Sequence, residues 1–519
     1  MGIWGGVSNN SRWRKNSGAV SIRDHGGRVG QDVSAALDSA IDALGVYGGA
    51  VYFPGGRWDL EAPYKIVKDN IQIVGDGART TELSIQHDFG YGLTVEHEID
   101  PGFSYLSNFG MRNISMRARV ATSGDSLLHL NKCQMGFFNN LSFEGHFGGP
   151  RVSGGLRNFW SGINVSASIA SFWSSVQANS YFMYFGRSAD GQVPTASMIS
   201  NFNFRREEAL DYIANGILIR AADGLWLNNG HVMGVDSSDI MVYPMSGVEQ
   251  ITGVMLNNIW LDNNATYGLS VRGATTAQYG EIGINGMRSL NPRENAIHVH
   301  SNADGFEGVR VNGFQSRKAG REAILLENGK SNIITDYDIA SANRDDIVER
   351  GGITIGNGAD SVHIGKGLFN QTGGGQTSAK MRGVVINSGH SGNIVVDGAN
   401  FRLASTAEDI VDSSTVQNNK FVNITTDKSN VITTVSGSSL DIPEGGDVFQ
   451  VSAGLTFDNM AGRWNERVVI LSFLGNVTVN NGTIKLAGGA TFNAKAKDTL
   501  TLMYSDTTFV WSEISRGVQ

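Results

Sequence analysis

The 519-residue chain holds one cysteine, Cys133, so it can form no intrachain disulfide and its fold must be stable in a reducing compartment. Proline is scarce, with 8 residues, which argues against a collagen-like or Pro-rich linker protein. Charged residues make up 17%, against a usual roughly 25%, and Lys and Arg are scattered within a net charge of -8. The concentrated positive charge that phosphate neutralisation needs is missing, so nucleic acid is not an expected partner. No stretch approaches the roughly 18 apolar residues of a membrane span, and membrane insertion is not expected. Residues 1–18 contain no apolar core of roughly 7 to 15 residues, so no secretory signal is expected there, and synthesis in a cytoplasm is the reading that follows. What is abundant is glycine, 67 residues or about 13% against a usual ~7%. With 40% hydrophobic residues, this composition describes short strands joined by tight turns around a continuous core.

The chain repeats itself. Leu225–Asn229 followed by Asp239–Tyr243 recurs, at intervals of 27 to 29 residues, as Val254–Asn258 with Gly268–Arg272, Gly283–Gly286 with Ala296–His300, and Arg310–Gly313 with Ala323–Glu327. Gly216–Arg220, Gly352–Gly356 and Gly383–Asn387 are weaker copies. Each copy is a period-2 strand opened by Gly or Ala. Units this short cannot bury a core alone and must stack. Leucine-rich repeats would show leucine at fixed offsets and a helix per unit, and neither is present. Asn113, Asn140, Asn228, Asn257, Asn285 and Asn312 recur near one point of each coil. Asn tolerates left-handed backbone, so they are expected to form a corner ladder.

One helix is expected near the start, where Val33, Ala36, Leu37, Ala40, Ile41 and Leu44 keep helical spacing and Gly45 stands as the stop. It is placed to cover the first open coil. Around it, Ser21–Gly27, Gly48–Gly55 and Ile73–Gly77 resemble the opening module of the pectate-lyase-like superfamily, which includes polygalacturonases and many phage tailspikes. The resemblance implies a right-handed single-stranded parallel β-helix over residues 19–425, with an N-terminal capping helix. It is specific for fold and not for reaction.

From Asn423 the texture changes. Val468–Phe473, Thr499–Tyr504 and Phe509–Trp511 read as strands, and Asn481–Gly482 as a hairpin turn. Residues 426–519 are expected to form a C-terminal antiparallel β-sandwich. The ending Phe509–Arg516 is similar to that of many phage tailspikes, which implies a trimerisation domain and a homotrimer. Residues 1–18, with Trp4 and Trp13, would then be a docking peptide to a phage tail or baseplate protein. The resemblance places the mature protein in the virion.

A tailspike reading implies a bacterial surface polysaccharide as partner and carboxylates to cleave it. Glycoside hydrolysis needs two carboxyls at a set separation, and carboxyls on coils about 4.8 Å apart suit it. Asp239 stands out because it occupies a strand-opening slot that other copies fill with Gly or Ala; Asp236, Asp262 and Glu207 are the candidate partners. Trp226, His231, Tyr243, Trp260 and Tyr267, on the same coils, would offer faces to sugar rings. The polygalacturonase pattern mostly fails, since of its catalytic positions only Asp239 fits and Tyr267 stands where that family has histidine. A lyase alternative would use Arg272, Tyr267 or His298 as base or charge neutraliser. A non-catalytic receptor-binding spike and a free pectin- or alginate-active enzyme are the other readings. His298, His300, His363 and His390 show no recurring Cys or Glu partner, so no metal and no cofactor is expected.

Overall fold

The computed structural model describes residues 19–518, apart from 98–104, 120–125, 146–148, 168–176, 207–212, 245–248, 263–264, 274–277, 302–305, 341, 343–350, 371–381, 389–392, 403–408, 415–418, 427–430, 433–434, 441, 443–447, 462–466 and 506. The chain divides into two compact units, residues 1–292 with 302–305, and residues 293–301 with 306–519. The expected docking peptide 1–18 lies outside the described residues, as do Glu207 and His390.

In the first unit the N-terminal helix is Ser34–Ala43, with Ala36, Leu37, Ala40 and Ile41 buried and Gly45 at φ 59° just beyond. It packs beside Ala19–Ser21 and Gly49–Phe53, the first parallel pair of the stack. Five long strands then climb the unit in parallel register: β1 (Phe137–Glu144), β2 (Phe159–Ala167), β3 (Thr195–Arg206), β4 (Ala222–Met233) and β5 (Gln250–Asp262). A second sheet runs through Leu128–Asn131, Pro150–Ser153, Gln177–Gly186, Ile213–Ile219, Ser238–Val242 and Tyr267–Gly273, also parallel. This is the right-handed parallel β-helix, the hand that parallel crossovers take.

The corner ladder exists, displaced by one residue from the expected one in the upper coils. Asn113, Asn140, Asn201, Asn229 and Asn258 share one level of their strands, and all lie between φ 51° and 56°. Gly162 and Gly286 fill the same column with φ 67° and 69°. Asn228, Asn257 and Asn285 form the column one residue earlier, linked amide to carbonyl at 2.8 and 3.0 Å. The left-handed corner selects Asn or Gly, and the adjacent column selects a side chain able to hydrogen-bond to its copy above.

The Gly slot that opens the second-sheet strands has a steric cause. A Cβ on Gly216 would lie 2.3 Å from the Asp239 carbonyl oxygen and 2.3 Å from a Val232 methyl. Along the stack the column reads Gly92, Leu127, Gly149, Phe182, Gly216, Asp239 and Gly268, so every large side chain lies between two glycines. Leu127 and Phe182 are buried here.

The second unit continues the same pattern, Ala296 and Ala323 lying level through the pairing of Ile297 with Ile324. The expected antiparallel C-terminal sheet is corrected. Val448 pairs in parallel with Ile470 and Thr456 with Thr478, 22 residues on in each case, and Ser439 pairs in parallel with Asn459. Coiling therefore persists beyond residue 425. Antiparallel pairing enters where Val468–Phe473 meets Thr499–Ser505, which meets Val510–Gly517. Asn481–Gly482 is not a two-residue hairpin, because Asn481 Oδ1 accepts from Leu486 N at 2.9 Å and Ile484–Lys485 pairs in parallel with Trp511 and Ser512. Trp511, Phe449 and Phe473 fill this region's core.

Candidate functional site

Beyond each left-handed corner the strand resumes its alternation. The third residue past the corner is inward, and Phe143, Val165, Phe204, Val232 and Leu261 are buried. The second and fourth residues lie on the outer face, where all of them but the buried Ser115 reach solvent. The second residues stack as Ser115, Ser142, Asn164, Asn203, His231, Trp260 and Arg288, with Glu82 level below Ser115. The fourth stack as Arg117, Glu144, Ser166, Arg205, Met233 and Asp262. Eight coils at roughly 4.8 Å give this strip a length of about 34 Å.

The lower part of the strip is a polar groove of about 800 Å³, lined among others by Arg79, Glu82, Arg117, Glu144, Asn203 and Arg205. Glu144 accepts from Ser142 Oγ at 3.2 Å and lies 3.7 Å from Arg117 Nη1. Glu82 is held by Arg119 Nη2 at 2.6 Å. Asp76, also at this groove, accepts from Tyr52 and from Gly55 N and is consumed by the turn it braces. The upper part is aromatic. Trp260 is 42% exposed, its ring centre lies 5.5 Å from that of His231, and the Arg288 guanidinium lies 4.8 Å above it. Burial lowers the His231 pKa, against the pull of the Asp262 charge, so its neutral ring faces the strip at neutral pH.

The residues expected from the sequence separate into several places. His231, Trp260 and Asp262 come together on the strip. Trp226 does not join them: it lies on the other side of the corner, in an outward stripe with Phe137, Phe159, Met198 and Met255, where Phe137 is 57% exposed and stacks on Phe159. Tyr267 and Arg272 belong to the second sheet, and Tyr243 follows directly on its strand Ser238–Val242. There the Arg220 guanidinium covers Tyr243 at 4.9 Å and that of Arg272 covers Tyr267 at 5.1 Å. Tyr181, on Gln177–Gly186, packs with Leu218 and Met241, and Tyr184 and Tyr243 lie against this cluster.

Asp239 is corrected as a catalytic carboxylate. It is 3% exposed, its Oδ1 has no hydrogen-bond partner among the described residues, and it occupies the glycine-flanked column of the core. Burial, reinforced by the Asp262 charge, drives its pKa well above the usual carboxylate value. Asp236 is engaged at its corner, ion-paired to Arg206 at 3.1 Å, while its carbonyl accepts from Thr266 N and Oγ1. The expectation that no Glu accompanies the paired histidines is also corrected: Glu327 Oε2 lies 2.8 Å from His298 Nε2 and 2.5 Å from His300 Nδ1. Glu82, Arg117, Glu144, Arg205 and Arg288 were missed. The signal for them was the left-handed corner, since each of the last four lies two or four residues beyond it.

A right-handed parallel β-helix carrying a solvent-facing polar and aromatic strip is the class that fold and site together define. Residues 20–179 match the family described as rhamnogalacturonase A/epimerase, pectate lyase-like. The chain is similar in fold to the N-terminal fragment of gene product 12 of bacteriophage Phi29, at 13% identity over 92% of this chain and 82% of that one, with a TM-score of 0.52. It is similar also to the catalytic unit of a GH87 α-1,3-glucanase from Streptomyces thermodiastaticus, at 13% identity over 80% of this chain and 69% of that one, with a TM-score of 0.50. No curated protein matches the sequence.

Proposed function

We propose that the chain binds a bacterial surface polysaccharide along the strip from Glu82 to Arg288 and cleaves it internally, as the homotrimeric tailspike of a bacteriophage. The observation that carries this is the strip itself, one outward column that stays polar or aromatic over eight successive coils beside a second that is polar at five of six, with a groove at one end. A long, shallow, solvent-facing track suits an extended polymer, and a small-molecule site would be deeper and more apolar. Trp260 supplies a flat apolar face for a sugar ring, with Arg288 and His231 to orient its hydroxyls or acidic groups.

For the chemistry we assign Glu144 and Glu82, two coils apart across the groove, as the carboxyl pair, with Arg117 beside Glu144 to bind substrate charge. Two coil steps rise about 9.6 Å, and side chains that lean together bring such carboxyls toward the roughly 6.5 to 9.5 Å of inverting hydrolysis. The polysaccharide-acting relatives in the matched family description, and the phage origin of one similar structure, support this reading. The exposed stripe around Phe137 and Trp226 supports self-association.

The test is incubation with a panel of purified capsular, exopolysaccharide and O-antigen polymers, read by chromatography for shorter oligomers. Glu144→Gln and Glu82→Gln are each expected to cut the cleavage rate at least a hundredfold while binding persists. Full-rate cleavage by both variants would overturn the assignment, and binding without any cleavage by the unaltered protein would leave an adhesive spike.

A further inference from the structure

The second unit holds a cluster that the glycan strip does not use. His298 and His300 alternate outward on Asn295–Ser301, between the buried Ile297 and Val299. The next coil pairs Val299 with Leu326, which puts Glu327 level with His300. Its Oε2 lies 2.8 Å from His298 Nε2 and 2.5 Å from His300 Nδ1, and the three donor atoms lie within 4.8 Å of one another. On the coil beyond stands Gly356, where a Cβ would come 3.2 Å from Glu327 Cα, so that position adds no side chain over the glutamate. The side chains of His298, Glu327 and His300 are 13%, 37% and 49% exposed, so one ligand is anchored and the cluster opens to water.

We propose that His298, His300 and Glu327 bind one divalent transition-metal ion, with water completing its shell. Two imidazoles and a carboxylate are the donor set that suits zinc, cobalt or nickel rather than calcium or magnesium. Donors of a tetrahedral ion at roughly 2.0 Å stand about 3.3 Å apart, so the two nitrogen–Oε2 contacts must open slightly to admit it. The histidines come from one strand and the glutamate from its neighbour, so the ion would stitch two coils together and keep open positions for an exchangeable ligand.

The experiment uses the full chain, stripped with a chelator and dialysed, then titrated with cobalt(II) chloride by visible absorption and with zinc chloride by calorimetry. One ion per chain is expected, with ligand-field bands in the visible and a thermal midpoint that rises with zinc. Glu327→Gln should weaken binding by at least tenfold, and His300→Ala should abolish the bands, both variants keeping the unaltered far-ultraviolet spectrum. Absence of bands in the unaltered protein, or a stoichiometry and midpoint shift that survive both substitutions, would overturn the site. Polysaccharide cleavage plays no part in this readout.

Discussion

Asp239 occupies a place that the stack otherwise gives to glycine or to a large apolar side chain. Its carboxyl is accommodated there because Gly216 and Gly268 leave room above and below it. An acid with a raised pKa holds its proton in the folded state over a range where the unfolded chain, near pH 3.9, has lost it. Its contribution is therefore intact below about pH 3.9 and is lost as pH rises. Asp239→Asn keeps the shape and cannot ionise; at pH 8 it should be more stable than the unaltered protein by about 1–3 kcal/mol, with the difference gone near pH 4 in denaturant titrations. Cleavage should be unaffected. His129 runs the other way. Burial, helped by the Arg151 charge, lowers its pKa to about 4, against about 6.5 unfolded. Between those values the unfolded chain holds more protons, so the stability due to neutral His129 falls away as pH drops from 6.5 toward 4, by roughly 3 kcal/mol in all. His129→Gln should flatten that part of a stability–pH profile. On the strip, Trp260→Ala should weaken glycan binding roughly tenfold by calorimetry and leave the thermal midpoint within a degree or so, because a half-exposed ring contributes little to the core.

At the scale of the single strand, the controlling device is the left-handed corner, which divides each long strand into two outward faces. Asn258→Gly should be nearly neutral in thermal unfolding, and Asn258→Val should cost about 1–2 kcal/mol, because a β-branched residue resists φ 53°. The same corner explains what was legible. The repeat, the Gly-opened strands and the capping helix were readable because each follows a local rule of period, sterics or capping. The site was readable only in part. Asn228 and Asn257 look like corner residues, and taking them for the corner moves the ruler by one, which exchanges inward for outward positions. Counted from Asn229 and Asn258 instead, His231, Trp260 and Asp262 fall on the strip, and Asn140 adds Glu144. Asp239 misled for a physical reason: a charge in a glycine slot reads as a functional exception, whereas a slot between two glycines is also where a neutral acid fits. The C-terminal coils were hidden because their 22-residue period departs from the 27 to 29 residues of the upstream repeats.

At the scale of the molecule, the proposed tailspike is expected to assemble as a homotrimer. Multi-angle light scattering on the full chain should return three times 55.6 kDa, and Phe137→Asp combined with Trp226→Asp should lower the assembled fraction. A monodisperse single chain would remove the trimer from the reading. The alternation of glycine with bulk in one core column has a consequence for how such a molecule can change in length. Duplicating one coil would set glycine against glycine, leaving a void, or Leu127 or Phe182 against an equal, which would collide. Two coils at a time preserve the alternation, so in this part of the chain lineages are expected to grow and shrink by pairs of turns.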